Sequence, residues 1–320
     1  MPPRAVSPPS PPGWLRSVAV AAALALAPLA RAQPAPADSA QAAAPAEQLG
    51  AAWDAPLPDL RVSPPPADSS GLVWWHVAAA GAGAGALGAA FVERLHVGWW
   101  DERSPRFRIL GDNAYALNAD KVGHAWGAAV LTRTSAVSLE AAGLGRAQAT
   151  GIAAGAAWAI LFVHEVYDGY GPYWGFSPGD VAGNTAGVGW EAARRHVPAL
   201  EPFDFKLSFW PSGADERTLM EDYRGQTYWL SVVPHGVAPD AAKPFLPPWL
   251  GLAAGTTVRG ADANGFPTER EWYVGLDLNV CGLGLRGPLA GPLCEAFRVV
   301  HLPMPALRVA PEVRPVLFGY

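Results

Sequence analysis

The chain has 320 residues, of which 50% are hydrophobic and 16% charged, with 14 tryptophans and a formal net charge of −5. That balance supplies no basic stripe to neutralise phosphates, so nucleic acid is excluded as a partner. So little charge with so much tryptophan is unusual for a soluble globule and points towards a membrane.

In chain order, Arg4 and Arg16 flank the start of an uncharged Ala/Leu run over residues 18–29, which ends at Ala30-Arg31-Ala32. The run is shorter than the about 20 residues a spanning helix needs. A positive flank, a short apolar centre and a cleavage site between small residues predict a signal peptide over residues 1–32, and hence export to the periplasm or envelope membrane of a bacterium. The rival reading is an uncleaved anchor. No cysteine lies near the cleavage site, so nothing there supports lipid attachment. Residues 33–70 are rich in Ala and Pro with few large apolar groups, which predicts a disordered linker. About 250 residues remain, enough for one large domain or two small ones.

Residues 71–198 predict a bundle of about four helices, whether embedded in a membrane or packed within protein. The first candidate, 71–92, is bracketed by Trp74-Trp75 and Trp99-Trp100, as an aromatic belt at two membrane interfaces would be. Its Ala/Gly interior fits a tightly packed helix equally well. A mixed segment, 120–140, follows, and then an apolar run, 151–163, leads into His164 and Glu165. A last helix is expected over 178–196, with Ser177 as cap, Pro178 in the first turn and Pro198 beyond the end.

Residues 199–320 alternate with period two instead. Over 271–280, Trp272, Val274, Leu276, Leu278 and Val280 share one face, and Tyr273, Gly275, Asp277 and Asn279 the other. Weaker strands are expected at 205–210, 227–233, 249–258 and 316–320, separated by turns such as Asn264-Gly265 and Pro247-Pro248. About five strands are too few for an outer-membrane barrel, which uses eight or more. The predicted fold is therefore α+β, a helical bundle followed by a small antiparallel β-sheet packed on it. Cys281 and Cys294 either close a disulfide over a short loop or remain two thiols.

Three successive helices each offer polar groups at helical spacing. Asp120 and His124 lie four apart beside Lys121, Glu165 and Asp168 three apart, and Asp180 and Asn184 four apart with Gly187 one turn later. A bundle can direct such pairs to one centre, and Asp, Glu, Asn and His together suit a divalent metal such as Mg, Mn or Zn. Alternatively Glu165 or His124 acts as a general base in an apolar setting. The bland alternative is that these groups only satisfy one another, Lys121 with Glu165 for instance, while Asp120 caps its helix. His164 is expected to be solvated or capping rather than a ligand. No Gly-rich phosphate loop, Gly-x-Ser-x-Gly elbow, Cys-x-x-Cys or His-Glu-x-x-His occurs.

The run Asp120-Lys121-Val122-Gly123-His124-Ala125 resembles the opening signature of the YfiM-like family of uncharacterised bacterial envelope proteins, some of them lipoproteins. Gly111-Asp112-Asn113 precedes it in the expected place. Glu165 with Asp168-Gly169-Tyr170, then Trp174-Gly175-Phe176-Ser177 with Asp180, Asn184 and Gly187, follow in order. So do Asp222-Tyr223-Arg224-Gly225-Gln226-Thr227-Tyr228-Trp229-Leu230-Ser231, Pro248-Trp249-Leu250 and Arg270-Glu271-Trp272-Tyr273. The resemblance spans residues 90–320 and implies an envelope location and helices before strands, with no activity to carry over. This chain departs from the lipoprotein members in lacking a cysteine at the cleavage site. The Asp120, Lys121, His124, Glu165, Asp180 and Asn184 series is also similar to that of VanZ-like membrane proteins, over a shorter span.

Two functions are compatible with these readings. One is a non-enzymatic, membrane-associated envelope protein that binds a lipid or protein partner or supports the envelope. The other is a metal-dependent hydrolase or transferase acting on lipid or cell-wall material.

Overall fold

The computed structural model describes residues 104, 106–112, 114–213, 221–262, 266–287 and 289–317. The expected signal peptide and linker, the 71–92 segment with its tryptophan pairs, the Asn264-Gly265 turn and residues 318–320 of the last expected strand lie outside them. The fold is α+β, as the sequence predicts.

Among the described residues three helices precede the sheet: α1 (Ala119–Ala141), α2 (Arg146–Asp168) and α3 (Pro178–His196). Each packs on the other two. Their shared core is built from small residues, Ala128, Ala157 and Val188, so the axes approach closely. Gly183 and Gly187 bring α3 nearest to α1: a Cβ on Gly187 would overlap the Ala125 carbonyl, and one on Gly183 would lie 2.6 Å from the Lys121 carbonyl oxygen. Ser177 caps α3, accepting from the Asp180 amide at 3.1 Å, and Pro178 occupies the first turn.

Six strands make the second half: β1 (Phe203–Phe209), β2 (Gln226–Val232), β3 (Leu250–Arg259), β4 (Glu269–Leu278), β5 (Ala306–Ala310) and β6 (Arg314–Val316). They form one antiparallel sheet in the order β1-β2-β3-β4-β5-β6. Strand β5, five residues long and following Pro303 and Pro305, was not foreseen, and β6 shares only Val316 with the strand expected over 316–320. Beyond β1's free edge the chain runs alongside at residues 299–301, where the Leu207 amide donates to the Val299 carbonyl and the His301 amide to that of Leu207. The same segment continues into β5, so the sheet curls with a concave face.

That curl turns the apolar side of the strands outwards. Cross-strand register sets Leu230, Ala254, Val274 and Leu307 in one row, with Leu252 opposite Leu276 beside it. All of these point outwards and are exposed, Val274 by 51% and Leu230 by 48%. Among the described residues, Val258 at one end of this outer face packs on Ala116 and Ala119, and Tyr228 lies over Gly123. The concave face is polar and buried. Lys206 reaches Asp277 at 2.6 Å, Ser231 donates to the same carboxylate, and Tyr273 and Arg308 both donate to Glu271. Trp229 fills its centre, fully buried, stacked on His301 at 4.2 Å and donating to Ser208. Gly255 faces the Trp229 ring, where any side chain would collide.

Cys281 and Cys294 form a disulfide, which settles the alternatives the sequence left open. It joins the turn after β4 to a short helix, α4 (Ala290–Phe297); this numbering passes over the single turn at Pro234–Val237. Closing a loop of 13 residues restricts the unfolded chain, so replacing both cysteines with serine is expected to cost about 2–3 kcal/mol. Thermal unfolding with and without reductant checks this: the parent should lose its advantage on reduction, and the double-serine variant should not respond.

Candidate carboxylate–histidine centre

The centre lies where α1, the end of α2 and the start of α3 meet. The chain enters α1 through Ala116, Leu117 and Asn118, all at positive φ (46°, 54° and 63°). Such conformations cost on the order of 1–3 kcal/mol each for residues other than glycine and persist only where the surroundings enforce them. Here Ala116 is buried in the cluster with Val258, and the Arg270 guanidinium from β4 donates to the Leu117 carbonyl. The sheet thus fixes the first turn of α1, and with it Asp120, Lys121 and His124.

Lys121 is the hub. Its ammonium donates to Asp112 Oδ2 at 2.6 Å and Asp120 Oδ2 at 2.8 Å, and forms an ion pair with Asp180 Oδ1 at 2.6 Å. It therefore does not pair with Glu165, as the bland reading supposed; the close approach at Gly183 carries it to Asp180 instead. Asp120 is not a cap either: Asn118 precedes the helix without a side-chain cap, and Asp120 Oδ1 accepts from the Tyr223 hydroxyl at 2.8 Å. Ser177 Oγ donates to Asp112 Oδ1 at 2.8 Å, linking the cap of α3 to the same network.

His124 stands between two groups of acids. Its Nε2 lies 3.7 Å from Asp120 Oδ1 and 3.8 Å from Asp180 Oδ1. Its Nδ1 lies 3.2 Å from Asn184 Oδ1 and 3.6 Å from Glu165 Oε1. Glu165 is 1% exposed, and its Oε1 takes part in no hydrogen bond. Beyond it, His164 Nδ1 is 3.7 Å from Glu165 Oε1 and 3.5 Å from Asp168 Oδ2. Asp120, His124, Glu165, Asp168, Asp180 and Asn184 thus all converge, as their spacing predicts.

Electrostatics follows burial and charge. Burial would lower Lys121, but its three carboxylates hold it charged, above the ordinary ammonium range. Burial pushes Asp180 up to about 6, with the neighbouring Asp120 and Glu165 charges adding to it against His124 and Lys121. Asp120 is held below the usual carboxylate range against its own burial, by His124, Lys121 and Tyr223. His164 is raised, since Glu165 and Asp168 outweigh its burial. Tyr223, buried and beside Asp120, is raised and so stays a hydroxyl donor. An array of this kind can bind a cation or pass a proton.

Sequence reasoning missed His164, whose side chain is only 14% exposed. The signal was available, because His164 and Asp168 are four apart on the face that carries the site. Asp112 and Tyr223 were noticed only as parts of motifs. Among the other motif residues, Gly187 serves the α1–α3 contact, and Gly225 sits in a turn where a Cβ would meet Asp222 and the Trp210 carbonyl. Gln226 accepts from the Tyr228 hydroxyl, and Trp229 belongs to the sheet interior. These four organise the fold rather than line the centre.

The chain is an exported protein of the bacterial periplasm or envelope. Residues 109–195, which hold α1, α2, all but the last residue of α3 and the centre's acids and histidines, match the family described as "Predicted periplasmic lipoprotein (DUF2279)". The similarity does not extend into the sheet. No curated protein matches the chain, and no solved structure does.

Proposed function

We propose that this is a non-enzymatic envelope protein seated at a membrane, with the outer face of its sheet and the outward side of α2 lying against acyl chains. The observation that carries this is the inversion of the sheet. In water the apolar face of a sheet is buried and the polar face exposed; here the reverse holds, as in strands that face lipid. The ten-residue β3 and β4 also match the about 9–11 residues of a tilted membrane strand. Among the described residues, α2 is the one helix long and apolar enough to cross a membrane, and Ile152, Ile160 and Val163 are exposed along it. The edge strand β6 is short and carries Arg314 and Pro315, which suits water or headgroups better than hydrocarbon. A sheet seated against one side of a bilayer meets these demands without closing a pore. Resemblance to the YfiM-like and VanZ-like proteins supports the same setting.

Flotation with phosphatidylethanolamine–phosphatidylglycerol vesicles tests the reading. The parent is expected to float, and Val274→Lys combined with Leu276→Lys to stay behind, because a charge on a lipid-facing strand costs about 2–4 kcal/mol at depth. In buffer the same exposed substitutions should change stability by no more than about 0.5 kcal/mol. A parent that remains monomeric without detergent and never floats would sink the proposal. One observation favours the second reading, a metal-dependent hydrolase or transferase on lipid or cell-wall substrates: the buried Glu165 oxygen that no hydrogen bond reaches. A turnover abolished by Glu165→Ala in a folded protein would decide for it.

A further inference from the structure

We propose that the last turn of α2 binds a divalent cation of the zinc class, with His164 Nδ1, Glu165 Oε1 and Asp168 Oδ2 as ligands and His124 closing the fourth side. The inference stands whether or not the protein turns over a substrate, and whether or not it sits on a membrane.

The geometry separates two groups of potential ligands, with His124 a member of the first and its Nδ1 3.6 Å from Glu165 Oε1 of the second. Asp120 Oδ1, His124 Nε2 and Asp180 Oδ1 form one; His164 Nδ1, Glu165 Oε1 and Asp168 Oδ2 form the other, and within each group the atoms lie no more than 4.8 Å apart. The first already has its cation. The Lys121 ammonium sits on Asp180 Oδ1 itself and on the second oxygen of Asp120, and Tyr223 donates to the remaining Asp120 oxygen. A metal there would have to displace an ammonium that three carboxylates already hold.

The second group has an unmet need. Glu165 is the most deeply buried acid of the centre, and among the described residues no lysine or arginine pairs with it. Its Oε1 faces two imidazole nitrogens at 3.6 and 3.7 Å, too far for hydrogen bonds. A carboxylate so enclosed, with two imidazoles beside it and no lysine or arginine among the described residues, is costly. The spacing is close to that of atoms sharing an ion: bonds of about 2.0–2.1 Å at a tetrahedral angle place ligands roughly 3.3–3.5 Å apart. His164 Nδ1 and Asp168 Oδ2, 3.5 Å apart, lie within that range, and the two contacts of Glu165 lie just beyond it. Mixed imidazole and carboxylate donors select a borderline ion rather than calcium or magnesium. The site also lies at the C-terminus of a 23-residue helix, where the backbone dipoles favour positive charge.

Zinc binding to the full chain tests this. The protein is purified without chelators or a metal-binding tag, assayed by elemental mass spectrometry, then stripped and titrated with zinc in a calorimeter. Near-stoichiometric zinc in the parent is expected. Glu165→Gln, which keeps the side-chain shape, should weaken binding by more than the about 10–100-fold typical of outer-shell changes, and Asp120→Asn by less than about threefold. His164→Gln should behave as Glu165→Gln does, and carries the comparison if circular dichroism shows that variant unfolded. A stripped, folded parent that takes up no zinc overturns the proposal. So does binding that Asp120→Asn abolishes while Glu165→Gln and His164→Gln leave it intact.

Discussion

Gly187→Ala is expected to destabilise the protein by more than about 3 kcal/mol, because it adds an atom where α1 and α3 leave no room. A Cβ there meets the carbonyl oxygen, carbonyl carbon and Cα of Ala125, all backbone, so no side-chain rotation relieves the clash. Overpacking of this kind typically costs about 1–3 kcal/mol, and more where rigid backbone must shift. Gly189, two residues on, supplies the control. Nothing lies within 4 Å of a Cβ at that position, so Gly189→Ala should gain about 0.5–1 kcal/mol by restricting the unfolded chain. Thermal unfolding of the two variants then moves in opposite directions, by roughly 6–12 °C down and a few degrees up for a domain of this size. Two variants with the same midpoint would mean that glycine is not what sets the α1–α3 distance. The consequence for the centre is direct. Gly183 and Gly187 let His124 come within 3.2 Å of Asn184, so forcing the helices apart should also weaken zinc binding.

The contrast between what could and could not be read from the chain has a physical pattern. Helix α3 was legible to its ends, because Ser177, Pro178 and Pro198 mark local backbone chemistry that tertiary contacts do not override. The convergence of Asp120, His124, Glu165, Asp168, Asp180 and Asn184 was legible because helical spacing fixes which groups share a face. Partner choice was not: Lys121 could be assigned to Asp180 rather than Glu165 only once the glycine-mediated approach of α3 was known. The sheet shows the same boundary. Period two correctly set Trp272, Val274 and Leu276 apart from Tyr273, Gly275 and Asp277, but alternation says which residues are together and not which side meets solvent. The usual assumption, apolar side inwards, failed. Strand β5 escaped because it offers only five residues between Pro305 and Pro311, too few to establish a period.

Lys206→Met is expected to cost about 3–5 kcal/mol, the penalty for removing one partner of a buried ion pair. Both Lys206 and Asp277 are 1% exposed, and they meet at 2.6 Å. They belong to β1 and β4, which are not neighbours in the sheet, so the pair spans the concave face and holds the curl closed. Without the ammonium, Asp277 would retain Ser231 as a donor and His301 at 3.7 Å, but no cation in direct contact. Replacing both members should behave differently. With Lys206→Met and Asp277→Leu together no charge is stranded, and substitution of whole buried pairs by apolar groups is often neutral or stabilising by about 1–4 kcal/mol. Denaturant unfolding of the parent, both single variants and the double variant gives the coupling energy, which should be large and favourable. If Lys206→Met alone proves neutral, the concave face is reached by water, the sheet is not inverted, and the argument for an outer surface turned to lipid loses its foundation. If the double variant recovers stability while the single does not, the polar face is a true interior, and the exposed row of Leu230, Val274 and Leu307 is left as the face that must find its apolar surroundings outside the protein.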